Sequence, residues 1–178
     1  MANIKKIKKA LENNNINEKI IKSIIGDGEI LGVITRLDEM PDKDLARRVL
    51  EACACSAKTS KSRDKASKEY GKKMAGKTLE EKIDGLGEIN LACVTLNNDN
   101  TLTVKFYWEI DGKKMCSCGE IRGETPEKIP KIYCYCCAGH FRHHLQNALG
   151  INLAAAEIIS SPINSLGEDP CEINFTWS

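Results

Sequence analysis

The chain has no excess of charge of either sign. Its 26 lysines and arginines nearly cancel 25 aspartates and glutamates, so no global field draws it toward nucleic acid or a membrane surface. It also lacks any apolar run approaching the roughly 20 residues that span a bilayer. The opening stretch MANIKKIKKALENNN carries charge with no apolar segment behind it, so a signal peptide is not expected. These absences point to the cytosol, where thiols stay reduced and a disulfide framework is not expected. Histidine is scarce at three residues, whereas cysteine is plentiful at nine. That odd number suits ligation or reactivity better than pairing.

The cysteines are not spread evenly. Cys116-Ser117-Cys118-Gly119 is followed fifteen residues later by Cys134-Tyr135-Cys136-Cys137-Ala138-Gly139-His140, so five of nine cysteines fall within 25 positions. Thiolates are soft nucleophiles and zinc ligands, and two Cys-x-Cys arms can close around one ion. The primary metal candidates are therefore Cys116, Cys118, Cys134 and Cys136, with Cys137, His140, Cys53 and Cys55 as lesser ones, and the expected ion is zinc.

Hydrophobic periodicity divides the chain at residue 88. Before it, Ile4, Ile7 and Leu11, then Ile20, Ile21, Ile24 and Ile25, recur at helical spacing. A third helical segment runs from Ile30 to Met40, and Asp42 is placed to cap a fourth carrying Leu45, Val49, Leu50 and Cys53. Residues 57 to 79 hold eight lysines and arginines against Asp64 and Glu69, with Tyr70 as their one aromatic. A nucleic-acid patch would need stacking groups, so a solvated linker or surface helix is the expectation there. After 88 the period becomes two. Leu102, Val104, Phe106, Trp108 and Ile110 alternate with polar residues over 101–110, and Ile89, Leu91 and Cys93 form the preceding strand. Asp111-Gly112 signals a hairpin. A helix is expected from Ala138 to Leu149, stopped by Gly150, and a last strand carries Cys171, Ile173, Phe175 and Trp177. Residues 151 to 160 fit either strand or helix.

The domain expectation is a helical segment over 1–56, a basic linker or helix over 57–87, and an α+β ligand-binding domain over 88–178. The fold class is α+β, with N-terminal helices packed on a mostly antiparallel sheet that is completed by a C-terminal helix and closing strands.

The hairpin register pairs Ile110 with Lys113, Tyr107 with Cys116 and Lys105 with Cys118, which sets both cysteines on the polar face. If their segment is extended, Cys134 and Cys136 share a face, with Tyr133 and Tyr135 on the other. Cys137 then stands at a helix entrance, where the dipole and His140 would favour its thiolate, so Cys137 and His140 are the catalytic candidates. His143 is expected to face solvent and His144 to be a surface or satisfied histidine. Cys93 and Cys171 read as core filler. Cys53-Ala54-Cys55 falls at a helix end. Its two cysteines could add a third arm to the late site only if the helix has ended there, since positions two apart on a helix face different ways. Trp108, Tyr133 and Tyr135 are candidates for lining a ligand pocket.

From about residue 100 onward the order of elements resembles the ligand-binding domains related to the 4-vinyl reductase domain. That superfamily includes haem nitric-oxide-binding domains and a Golgi-transport subunit. The resemblance is carried by the cysteine segment, Gly139 opening a helix, Leu149-Gly150 before a strand, Ser161, Gly167-Glu168-Asp169, and Cys171-Glu172-Ile173-Asn174-Phe175. It extends to a group of uncharacterised bacterial proteins with paired Cys-x-Cys segments, and to hydrolases acting on 2-amino-thiazoline-4-carboxylate. The resemblance implies helices on an antiparallel sheet around a small apolar pocket, sometimes with zinc, and haem is not carried over.

The leading expectation is a soluble small-molecule-binding or sensor domain with a zinc site. Its partner would be a small apolar or sulfur-containing ligand, with neither nucleic acid nor membrane, and self-association as a homodimer is left open. The alternative is an enzyme, either a hydrolase with zinc-bound water or a thiol reductase. Glu120 and Glu124 are the nearest carboxylates to the cysteines.

Overall fold

The computed structural model describes residues 2–54, 60–97, 99–116, 118 and 129–178. Among them, helices α1 (Ile4–Asn13), α2 (Glu18–Ile25), α3 (Ile30–Asp38) and α4 (Lys43–Ala52) occupy the positions that their apolar spacing predicts. Caps fix their starts. Asn3 accepts from Lys6 N, and Asp42 Oδ1 accepts from Leu45 N at 2.8 Å, satisfying backbone donors that the first turn leaves without helical partners.

Helix α5 (Lys61–Lys73) follows, then α6 (Leu79–Asp84), which starts with a Thr78/Glu81 capping box. Strands β1 (Cys93–Leu96), β2 (Thr101–Phe106), β3 (Trp108–Ile110) and β4 (Lys113–Met115) come next, and then the long helix α7 (Cys134–Leu149). The chain closes with β5 (Leu153–Ser160) and β6 (Cys171–Trp177), so the segment that fits either strand or helix is a strand.

The main sheet has the order β1-β2-β6-β5, with antiparallel pairing throughout. Its inner face sets Leu102 opposite Phe175 and Val104 opposite Ile173, all buried. Helix α7 packs against β5, and α4 and α5 pack against α7, so α7 is the inner layer between the N-terminal helices and the sheet. One hydrophobic cluster runs from Ile7 and Leu11 through Val49 and Leu145 to Phe175. Two glycines let the helices approach this closely. Gly139 of α7 faces the Glu51 carbonyl of α4, and Gly71 of α5 faces the Asn147 carbonyl of α7; a Cβ at either would overlap that oxygen. Gly150 ends α7 in the left-handed conformation, φ 72° and ψ 30°, as its position predicts.

Several expectations fail for tertiary reasons. The strand expected over 101–110 breaks at Tyr107. Beyond it β3 leaves the sheet and pairs only with β4, so no layer covers it, and Trp108 and Ile110 are 56% and 58% exposed. The hairpin register holds where it is described, with Ile110 opposite Lys113. Lys105, however, pairs with Cys93 and Glu172 and not with Cys118. That pairing explains a second reversal. Opposed residues share a face, Lys105 points to solvent, and so Cys93 is exposed while Val94 turns inward. Cys134 to Cys136 are helical, not extended, because a 3-10 turn over Lys131–Tyr133 leads straight into α7. The basic stretch is more than a solvated helix, since α5 buries Asp64, Ser67 and Tyr70 along one side.

Candidate functional site

Seven of the eight described cysteines gather at the start of α7, with exposed Cys93 the exception. They arrive from four separated segments: the end of α4 (Cys53), the positions just after β4 (Cys116, Cys118), the first turn of α7 (Cys134, Cys136, Cys137) and the first residue of β6 (Cys171). The Cys116 and Cys137 thiols share a hydrogen bond. Cys134 senses both Cys116 and Cys118 and is hydrogen-bonded to the Ser161 side chain, while Cys136 senses Cys118 and Cys53. Tyr133, 1% exposed, holds its hydroxyl 3.0 Å from Cys118 Sγ. The four primary metal candidates are thus brought together with Cys137, Cys53 and the supposed core filler Cys171. Cys55, Glu120 and Glu124 lie outside the described residues.

Burial keeps these thiols protonated. It pushes Cys53 and Cys134 up to about 11 and Cys136 up to about 12, and raises Cys171 as well. Cys137 is raised first by its hydrogen bond to Cys116 and then by burial, which reverses the expectation of an acidic thiol. The reason is local. Helix α7 begins at Cys134, so the unsatisfied N–H groups that favour an anion precede Cys137. The structure turns His140 toward other neighbours: its ring packs 4.5 Å from that of His144 and 5.4 Å from that of Phe141, and Nε2 lies 3.3 Å from Arg63 Nη1.

The aromatic pocket candidates separate. Trp108 is on the exposed hairpin and Tyr133 is inside the thiol cluster. Tyr135 lines a surface cavity of about 350 Å³ with Arg47, Lys43, Lys131, Asp44 and Glu157, and the Arg47 guanidinium stands 5.9 Å from the centre of its ring. Charged side chains rim the cavity, and the buried Ile132 and Ile158 also line it.

A second cluster lies further along α7, against α5. Asp64, His143 and His144 place one ligand atom each within 4.8 Å of one another, a geometry that can hold a metal ion. Among the described residues this is the one such group of three. His143 stays partly exposed, as expected of a surface histidine, but its Nε2 lies 2.8 Å from Asp64 Oδ1 across the α5–α7 seam. Lys68 on the neighbouring turn of α5, and secondly His143, hold the Asp64 carboxyl below its usual range. His144 is fully buried, not a surface histidine, with Nδ1 3.4 Å from Ser67 Oγ and Nε2 without a hydrogen-bond partner.

Burial, and then the neighbouring His140, His143 and Arg63, lower His144 from 6.5 to about 3. The unfolded chain therefore takes up a proton between pH 6.5 and about 3 that the folded chain refuses, and stability contributed by neutral His144 is lost as pH falls through that window. In metal-free protein, urea midpoints measured from pH 7 to pH 4 should fall, and His144→Phe should flatten the decline. Parallel declines in the two proteins would show that His144 is not its source.

Asp64 and His143 had no signal visible in the sequence as a pair, being 79 positions apart. A signal that could have exposed the seam is the stripe Asp64, Ser67, Gly71 at helical spacing, facing His140, His144 and Asn147 at the same spacing. No helix among the described residues is long and apolar enough to cross a membrane. Comparison with family models, curated proteins and solved structures finds no match to this chain.

Proposed function

We propose that this chain is a metal-binding domain that holds zinc through the thiol cluster at the start of α7 and acts as a small-molecule binder or sensor. The observation that carries the reading is the convergence of seven cysteines from four segments of the fold, with Tyr133 aimed at one of them. Filling a core needs only small apolar side chains, whereas assembling thiols from distant segments serves an ion that takes them as thiolates. A bound dication reverses the burial effect, because a coordinating thiol loses its proton outright. Zinc would require Cys116, Cys118, Cys134 and Cys136 to draw in around it to a Zn–S distance of about 2.3 Å. The resemblance adds the small ligand, and the cavity at Tyr135 offers it a polar, mixed-charge rim.

Cobalt(II) is a direct probe. Titrated into reduced protein at pH 7.5, it should produce the intense near-ultraviolet thiolate charge-transfer absorption, and zinc should abolish it. Cys116→Ser with Cys134→Ser should weaken binding at least ten-fold, and binding should fall steeply with pH because several thiols must lose protons. Nine thiols reacting fully in the presence of zinc, with no charge-transfer band, would overturn the reading. An exchangeable water in the cobalt spectrum would favour the hydrolase version, and a closed all-sulfur shell the sensor or structural one.

A further inference from the structure

We propose that Asp64, His143 and His144 form a second metal site at the α5–α7 seam, built for a borderline divalent cation such as Zn²⁺, Co²⁺ or Ni²⁺ and independent of the thiols. The donors are two imidazoles and a carboxylate, the set that such cations take when sulfur is absent. A tetrahedral ion with bonds near 2.0–2.1 Å wants its ligand atoms roughly 3.3 Å apart. The three atoms lie within 4.8 Å already, from two helices whose separation is set by Gly71 against the Asn147 carbonyl.

The hydrogen bonds of the seam leave lone pairs unmatched. Ser67 Oγ donates to the Asp64 carbonyl at 3.1 Å, so its contact with His144 Nδ1 places the proton on Nδ1. His144 Nε2 is then a lone pair, buried, with no hydrogen-bond partner, in a residue with no exposed surface. His143 Nε2, if it donates to Asp64 Oδ1, cannot also accept from Asn147 Nδ2 3.4 Å away. A cation replaces that one shared proton and meets every lone pair at once. Turning the Asn147 amide about exchanges its Nδ2, now 3.5 Å from Asp64 Oδ1, for an oxygen that can complete the shell.

Two cations oppose the ion and one can move. Lys68 Nζ binds Asp64 Oδ2 at 2.8 Å, the oxygen His143 does not use, and its half-exposed side chain can swing into solvent. Arg63 stands against His140 Nε2, which keeps that imidazole out of the ligand set. The site is separated from the thiols along α7, since His144 follows Cys137 by seven residues, about 10 Å at 1.5 Å per residue.

The test uses the full reduced chain with histidine labelled by ¹⁵N, titrated with cobalt(II) chloride. Paramagnetic shifts or broadening of the His143 and His144 ring signals, saturating with one equivalent, are expected alongside any thiolate absorption. Asp64→Asn and His143→Ala should each weaken this histidine-detected binding ten-fold or more, and leave the thiolate band in place. His143 is half-exposed and Asp64→Asn conserves shape, so both variants should fold. Ring signals that do not respond while the thiolate band grows would overturn the second site and leave the thiol reading standing. A ring response without the band would do the reverse. Loss in His143→Ala but none in Asp64→Asn would mean adventitious binding to a surface imidazole, and the proposal would fall.

Discussion

Alanine at Gly139 should destabilise the fold by about 3 kcal/mol or more, and alanine at Gly71 by a similar amount. Each added Cβ would overlap a backbone carbonyl oxygen on a neighbouring helix, that of Glu51 or that of Asn147. A clash with a flexible side-chain tip is relieved by a rotamer change, but a carbonyl moves only if its helix moves. Separating α4 or α5 from α7 would loosen the packing around Val49, Tyr70 and Leu145, all buried, and in a close-packed interior that loss spreads. Urea unfolding at pH 7 measures the effect, with helix propensity pulling the other way by about 1 kcal/mol in favour of alanine. A midpoint unchanged from the parent at either position would mean that the helices do not pack in this register.

Removing Arg142 should have the next largest effect, about 2 kcal/mol at pH 7. Glu51 keeps only 5% of its side chain exposed and is paired with the Arg142 guanidinium, with Arg47 Nε 3.8 Å away on its other oxygen. Burial raises the Glu51 carboxyl above its ordinary 4.5, and the two arginines, Arg142 first, pull it back. In Arg142→Met the carboxylate retains Arg47 alone, which is why the figure lies below the full cost of stranding a buried charge. The sign of the pH dependence follows. A raised folded value means that the folded state keeps its proton where the unfolded chain has lost it, so stability falls as pH rises from 4.5 through the folded value. Arg142→Met widens that window. Its deficit against the parent should therefore be largest at pH 7 and shrink toward pH 4, as followed by paired urea titrations. A deficit equal at both ends would assign the loss to the packing of the arginine stem.

What the sequence made legible is whatever is settled within a few residues. The spacing of Ile7 and Leu11, the Asp42 cap, the Asp111-Gly112 hairpin and the Gly150 stop depend on local backbone preferences, and each stands where its pattern puts it. The expectations that fail depend on what covers a segment. Trp108 continues a flawless alternation, but the alternation cannot say that the sheet ends at Phe106. Cys93 has the right parity for Leu91, yet its facing comes from Lys105 opposite it. Cys-x-Cys spacing fits a strand or a helix equally, and the 3-10 turn before Cys134 decides for the helix. The convergence of the cysteines was readable from their number and spacing, while the arrival of Cys171 and Cys53 required the fold. The Asp64–His143 contact joins two helices across 79 positions and had no local trace.

The two glycine contacts have a mechanical meaning. Gly139 locks α7 to α4 just after its cysteine turn, and the Asn147 carbonyl locks it to α5 eight residues on, just past His144. A rod notched at two points to two different supports can neither spin nor slide. The angle between the thiol stripe and the imidazole stripe is therefore a constant of the molecule. A displacement imposed at one end of α7 has no route of escape through the helix itself, and is handed on as torque to α4 and α5.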